Sequence, residues 1–405
     1  MSADSSVQTF ERRWRRLARE WGGIVCVSTA DYNAQLWTNK QHLMSRVATE
    51  VPVVYVESLG LRRPRLTRRD AQRALRRVRS TFSVEWSPGP DQHLRVLSPL
   101  VIPWHGSRHV RRVNHLLLTA QLRSSIKSLP APKLLWAYAP VVTEELDLTG
   151  FDAIVYHCVD DLATVPRIPA KAVHDLERKL AGVADIVFAS APTLANRLKT
   201  TNRQTYLVSN VADIAHFAAA HSAEREPEDI VRIPRPRVVF VGALSDYKID
   251  WDLVRETVAL LPEFHFVFIG PPGDETSVRA GVRPKASNCH FLGHRPFADL
   301  PAYLAGADVG IIPYRLTTHT ASVYPLKVIE YLAAGLPTVS VPLPALGVRP
   351  ELPVSLACGP SEFASAIRDA VGIRRKDVDL ARYSWDAMLA DMFSRLGALR
   401  HDAAA

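Results

Sequence analysis

Lys327 and Glu330 stand three residues apart in SVYPLKVIEYLAAGLPTVSVP (322–342), a stretch that is otherwise mostly apolar. On a helix that spacing puts both on one face. Pro325 suits a first helical turn, Gly335 suits a helix end, and TVSVP beyond it reads as a strand. Thr320 or Ser322 can cap the helix start, whose free N–H groups then form an anion site. Lys327 adds a full positive charge in the first turn. A carboxylate one turn further in does not bind phosphate, but it accepts hydrogen bonds from a pair of vicinal hydroxyls. A diol beside a diphosphate describes the ribose end of a nucleoside diphosphate. The plain alternative is an i,i+3 ion pair on a solvated face, worth about 0.2–0.5 kcal/mol. Against it, VIEYLAAG is too apolar for a solvated face.

VGALSDYKID (241–250) adds to the nucleotide reading. A strand ends in Gly242, which lets a ligand approach the backbone, and Lys248 in the following loop reaches a pyrophosphate as a point charge; the alternative is a surface lysine. FIGPPGD (268–274) places Gly270 at a second strand end, either beside the base or in an ordinary turn. Tyr314 closes DVGIIPY (308–314) and belongs to the same donor-binding set. In the first half, VYHCVDDLA (155–163) ends a strand with His157, Asp160 and Asp161; one aspartate can equally be a helix N-cap. STADYNAQLWTNKQH (28–42) follows the first strand and offers Asp31, Trp37 and His42 on an acceptor-side loop, with core packing the alternative for Trp37.

These groups need elements that hold them at one rim. GGIVCVST, PVVYVES, KLLWAYAP, DAIVYHCVDD, ADIVFASA and QTYLVSN read as strands, with helices such as 174–183 and 193–200 between them. HSAEREPEDIVRIPRPR (221–237) is charged, proline-bearing and aperiodic, a domain boundary. The same grammar then restarts with VVFVGALS, HFVFIGPPG, NCHFLG, DVGIIPY and PTVSVP. Alternating, nearly continuous apolar strands and helices imply α/β architecture: two Rossmann-like, doubly wound parallel-sheet domains facing a cleft. The expected division is 1–221, 222–382 and a closing helix, 383–405, that packs back on the N-terminal domain.

Composition bounds the rest. The 405 residues are 47% hydrophobic and 22% charged, a globular balance for two domains. No apolar run reaches a membrane span, and the start lacks the apolar core of a signal peptide, so a cytoplasmic protein is expected. Four scattered cysteines form no C-x-x-C pair, which argues against zinc or a disulfide framework. Residues 61–79, LRRPRLTRRDAQRALRRVR, hold nine arginines and one aspartate, which accounts for +8 of the chain's +9. Thr67 and Asp70 form a capping signal, Ala71, Ala74, Leu75 and Val78 line one face, and Arg69, Arg73, Arg76 and Arg77 crowd elsewhere. This basic amphipathic helix suits the anionic inner face of a plasma membrane, a polyanionic acceptor, or a merely solvated surface; ERRWRRLAREW near the N-terminus favours the membrane. No aromatic platform or base-reading motif accompanies the charge, so nucleic acid is not expected.

IIPYRLTTHTASVYPLKVIEYLAAGLPTVSVPLP resembles the nucleotide-sugar signature of GT-B glycosyltransferases of the retaining family-4 type. YHCVDDLA, VSNVADIAHF, VFVGALSDYKIDWDL and FLGHRPFADLPAYLAGADVGIIPY resemble the teichuronic-acid and exopolysaccharide branch, in matching order. The resemblance implies transfer, with retention, of a sugar from a nucleoside diphosphate to a lipid-linked or polysaccharide acceptor. By the same resemblance Glu330 holds the ribose, Lys248 neutralises the diphosphate, and Lys327 is the signature lysine beside it. A polar side chain near the end of the 152–161 strand touches the reacting sugar, and the 28–42 loop lies under the donor phosphates beside the acceptor. Two positions depart from the pattern: Ser322 stands where a first glutamate is usual, and Ala243 where an arginine is common. No D-x-D motif stands where a metal would serve, so no cofactor or metal is expected, with lysines and a helix end supplying positive charge. A sugar-nucleotide 2-epimerase and a non-catalytic nucleotide-sugar-binding subunit are the rival readings. A dinucleotide dehydrogenase is disfavoured, since no G-x-G-x-x-G follows a strand.

Overall fold

The computed structural model describes residues 3–34, 37–60, 93–105, 107–164, 170–272, 282–321, 323–373 and 378–404. Arg69, Arg73, Arg76, Arg77 and Ser322 lie outside the described residues. The chain divides into two compact units, one built on Ser5–Ser209 with Trp385–Ala405, the other on Asn210–Ser384.

The first unit carries a seven-stranded sheet of β1 (Gly23–Val27), β2 (Val53–Val56), β3 (Leu94–Leu97), β4 (Lys133–Ala137), β5 (Ala153–Cys158), β6 (Ile186–Ala189) and β7 (Thr205–Leu207), in the order β3-β2-β1-β4-β5-β6-β7. Every pairing is parallel. β1, β2 and β6 are buried along their whole length, which is why they read as unbroken apolar runs. β3 escapes a reading by apolar runs: it is an edge strand, LRVL, with three of its four residues half-buried.

The second unit repeats the plan with β8 (Arg237–Val241), β9 (His265–Ile269), β10 (Cys289–Gly293), β11 (Val309–Ile312), β12 (Thr338–Ser340) and β13 (Val354–Leu356), all parallel, ordered β10-β9-β8-β11-β12-β13. In both sheets the strand order reverses beside the first strand of the unit, between β1 and β4 and between β8 and β11. Loops leaving those carboxyl ends are where an open α/β sheet binds ligands. They carry residues 28–34, 37–40 and Tyr138 in the first unit, and Gly242 and Tyr314 in the second.

Two boundaries differ from the sequence expectation. The break falls after Ser209, not at 221, because Ala212, Phe217 and Ala220 are buried in the core of the second unit. The closing helix starts at Trp385 and groups with the first unit. There Trp14 Nε1 donates to Asp386 Oδ1 at 2.7 Å, and Trp136 meets Phe393 at 6.1 Å between ring centroids.

Candidate functional site

In the second unit, β8 delivers Gly242 with φ +145°, a backbone conformation that favours glycine. A Cβ there would lie 2.5 Å from Cε of Lys327 and 2.6 Å from its Nζ. The lysine side chain thus lies directly on Gly242, with its ammonium 5.6 Å above the Phe240 ring. Gly270, φ +148°, ends β9 alongside; its own Cβ would fall 2.0 Å from the Gly242 carbonyl oxygen. The two glycines pack backbone on backbone: a side chain at Gly270 would strike the Gly242 backbone, while one at Gly242 would push the end of Lys327 aside.

The loop beyond Gly242 is tied to the end of β11. Ile249 bridges Tyr314, Asp250 N donates to Pro313 O at 2.8 Å, and Arg315 N donates to Lys248 O at 2.7 Å. Asp250 then caps the helix Trp251–Leu260 by accepting from the backbone N–H of Asp252 and of Leu253. Lys248 is therefore held beside Tyr314, itself buried and 6.3 Å from Phe240.

Lys327 opens the helix Lys327–Ala333, whose end is a Schellman turn: Leu336 N donates to Tyr331 O at 2.8 Å and Gly335 adopts φ +70°. Val328, Ile329, Tyr331 and Leu332 are buried, and Tyr331 fills the space above Gly310. Of the two expected caps, Ser322 lies outside the described residues, and Thr320 does not cap the helix. Leu326 is the N-cap, and Thr320 is spent on Thr317 and Arg315. Lys327 and Glu330 share a face, yet no ion pair joins them among the described residues. The solvated i,i+3 pair is therefore not what is built. Glu330 is half-buried, and burial raises its pKa, with Lys327 and His216 opposing the rise. His216 was not a sequence candidate. Asp213 caps its short helix, and its ring stacks on Phe297 at 4.1 Å. Its signal was its place in VSNVADIAHF, after the last strand of the first half.

In the first unit, β5 separates the three candidates. His157 is fully buried among Trp136, Tyr138 and Phe188, and burial, then Lys40, pushes its pKa down to about 3. A side chain with no exposed surface does not reach a substrate, so His157 is corrected to a packing residue; its Nε2 has no hydrogen-bond partner among the described residues. Asp161 takes the capping role. It accepts from Ala163 N at 3.2 Å and lies 3.7 Å from both His174 and Arg197. Asp160 is left half-open, its side chain 43% exposed, 4.0 Å from Lys40 Nζ.

Lys40 is a residue the sequence reading passed over within TNKQH. It is buried at the start of the helix Asn39–Val47, with its ammonium 5.6 Å from the Tyr138 ring. Burial lowers its pKa while Asp160 supports the charge. Only the meeting of the β1 loop with β4 and β5 reveals it. On the same loop Asp31 is exposed, and Trp37 is 42% exposed, so it is not a core residue. Trp37 packs edge-on to His42, which stacks on Trp385 at 4.8 Å. Among the described residues no group of three His, Cys, Asp or Glu is arranged to hold a metal ion, and no helix is long and apolar enough to cross a membrane.

Residues 235–371 match the family model described as "Glycosyl transferases group 1". A Bacillus subtilis (strain 168) protein named as a teichuronic acid biosynthesis glycosyltransferase, TuaH, is 25% identical over 225 residues, 52% of this chain and 56% of that protein. The match thus spans about half the length of that relative. Sucrose-phosphate synthase from Thermosynechococcus elongatus superposes with a TM-score of 0.66 at 17% identity, over 95% of this chain and 100% of its own. Anabaena HepE, in complex with UDP and glucose, gives 0.56 at 16%, over 94% and 98%.

Proposed function

We propose that this chain, a GT-B fold whose C-terminal unit is a group 1 glycosyl transferase domain, moves a sugar from a nucleoside diphosphate to a lipid-linked or polysaccharide acceptor, with retention of anomeric configuration. One observation carries the reading. Lys327 and Glu330 share a helix face without pairing, and the ammonium rests on a glycine strand end. A cation and a carboxylate that form no ion pair among the described residues, beside bare backbone, suit a ligand with phosphate and diol adjacent. Lys327 and Lys248 neutralise the diphosphate, in the ground state and as it leaves. Each charge-assisted bond is worth about 1.5–3 kcal/mol. Glu330 accepts from the ribose hydroxyls. Gly270 and Tyr314 line the same strand ends. In the first unit, Asp160 is the carboxylate open to a sugar hydroxyl or to positive charge developing at the anomeric carbon, with Lys40 positioning it.

The assignment of cation chemistry to lysines leads to activity without a divalent metal. The basic segment 61–79, through Arg69, Arg73, Arg76 and Arg77, is proposed to hold the protein on an anionic membrane. The deciding experiment is a panel of nucleoside diphosphate sugars, scored first for thermal protection of the protein and then for sugar transfer to a membrane extract. Protection by one donor with transfer to a lipid or polymer fraction supports the reading. Protection with no transfer points to a binding subunit, and release of an epimerised free nucleotide sugar to an epimerase. No protection by any donor overturns the site.

A further inference from the structure

Exposed large apolar side chains are scattered singly over most of the described surface, as on any protein. One stretch departs from that. Leu100, Ile102, Trp104, Val113 and Leu116 are 39, 37, 52, 44 and 70% exposed, and no other described stretch of that length holds more than two such residues. The segment 100–104 is not loose. Asn114 clamps Ile102 from both sides, accepting from its N–H at 2.8 Å and donating to its carbonyl at 2.9 Å. Gln121 does the same to Leu100, at 2.8 and 3.0 Å. Both amides project from the helix Arg108–Ser128, so the segment lies along that helix as an added strand would. Below it, buried His105 bonds Glu145 at 2.6 Å and the Leu59 carbonyl at 3.0 Å. Val101 packs against the core while Leu100 and Ile102 are exposed on either side of it; the chain then bends at Pro103, where Trp104 N donates to Ile102 O at 2.8 Å, and Trp104 is exposed as well. A ridge this firmly braced holds its apolar side chains in water at a cost, and no packing among the described residues explains it.

Charge identifies the occupant. Arg108, Arg112 and Arg123 are exposed on the same helix, in the i,i+4 and i,i+3 rows that carry Leu116 and Val113, and none makes an ion pair among the described residues. No Asp or Glu occurs between 93 and 132. A second copy of this surface would set cations against cations. A bilayer with anionic headgroups satisfies both features at once, with the indole and aliphatic side chains at the headgroup level and the guanidiniums on phosphate. We propose that the ridge formed by Leu100, Ile102, Trp104, Val113 and Leu116 is a docking surface for an anionic lipid bilayer. This goes beyond the nucleotide reading and does not depend on it. It also differs from attachment through residues 61–79, whose pull is chiefly electrostatic and is lost in salt.

The test is co-sedimentation of the full chain with phosphatidylcholine vesicles, with and without phosphatidylglycerol, over a range of sodium chloride. Wild type should bind the anionic vesicles and keep part of that binding in high salt through the apolar ridge. Ile102→Ser with Trp104→Ser should lose the salt-resistant part, weakening partition roughly tenfold or more, since burying two large side chains is worth more than the 1.4 kcal/mol of a tenfold change. Both positions are exposed, so nucleotide protection and melting temperature should hold. A four-glutamine variant at Arg69, Arg73, Arg76 and Arg77 should retain the salt-resistant part. Equal high-salt binding by wild type and the serine variant, or no binding of wild type to anionic vesicles, overturns the proposal. So does a wild-type dimer by light scattering that the serine substitutions dissociate, which would make a second copy the occupant.

Discussion

Replacing Gly242 with alanine tests the nucleotide site through geometry alone, because it adds one carbon and no charge. The new Cβ would stand 2.5 Å from Cε and 2.6 Å from Nζ of Lys327. Carbon contacts settle at about 3.5–4.0 Å, so the lysine end must move by roughly an ångström. If Lys327 holds the diphosphate as proposed, an ammonium displaced that far loses that bond, a loss of about 1.5–3 kcal/mol. Affinity for the diphosphate should therefore fall by roughly ten- to a hundredfold. The backbone adds a separate effect. At φ +145° an L side chain is strained, so stability should drop by about 1–3 kcal/mol. Lys327→Met separates the two effects, since it removes the charge and leaves the backbone unstrained. Calorimetric titration with the nucleoside diphosphate and with the bare nucleoside, beside thermal melts, reads both. Gly242→Ala should lose diphosphate affinity and melt lower. Lys327→Met should lose diphosphate affinity, melt near wild type and bind the nucleoside unchanged. A folded Gly242→Ala protein with wild-type diphosphate affinity would refute the placement of Lys327 on the phosphates.

Glu330→Ala should cost about 1.5–3 kcal/mol of nucleotide affinity and abolish discrimination between ribose and 2′-deoxyribose, measured by competition; intact discrimination would remove Glu330 from the ribose. Burial raises the Glu330 pKa above 4.5, so at neutral pH the folded protein holds a desolvated carboxylate that the unfolded chain hydrates. Ligand-free Glu330→Gln should accordingly melt higher than wild type at neutral pH. That advantage should shrink as pH falls through the raised folded value toward 4.5, and an advantage that grows on acidification would contradict the sign. Wild-type nucleotide affinity should decline over the same window, while Glu330→Gln titrates flat. Asp160→Asn should abolish transfer while sparing nucleotide affinity, and undiminished turnover would exclude the carboxylate from the chemistry. EDTA should leave transfer intact; activity abolished by EDTA and restored by magnesium or manganese would expose a metal site.

The parallel sheets and the common helix face of Lys327 and Glu330 were legible in the sequence because their signals are local. Strands buried on both faces read as nearly continuous apolar runs, as in GIVCV and VVYV, and edge strands such as LRVL and VSL need not, so β3 and β13 were missed. Lys327, Glu330 and Gly335 lie within one short helix and its turn, and helical periodicity alone puts the first two on a common face. What periodicity does not encode is which of several plausible partners a group finds. That the lysine and glutamate stay apart, and that Gly242 lies under the ammonium, are decided by the packing of β8 against the 327–333 helix. The same limit governed the first unit. VYHCVDD presented three candidates in a row, and only burial separates the enclosed His157 and the capping Asp161 from the open Asp160. Lys40 lies far from Asp160 in the chain, and nothing in TNKQH announces a buried lysine. Crossover connections bring them together, because loops distant in sequence converge where a sheet reverses its strand order.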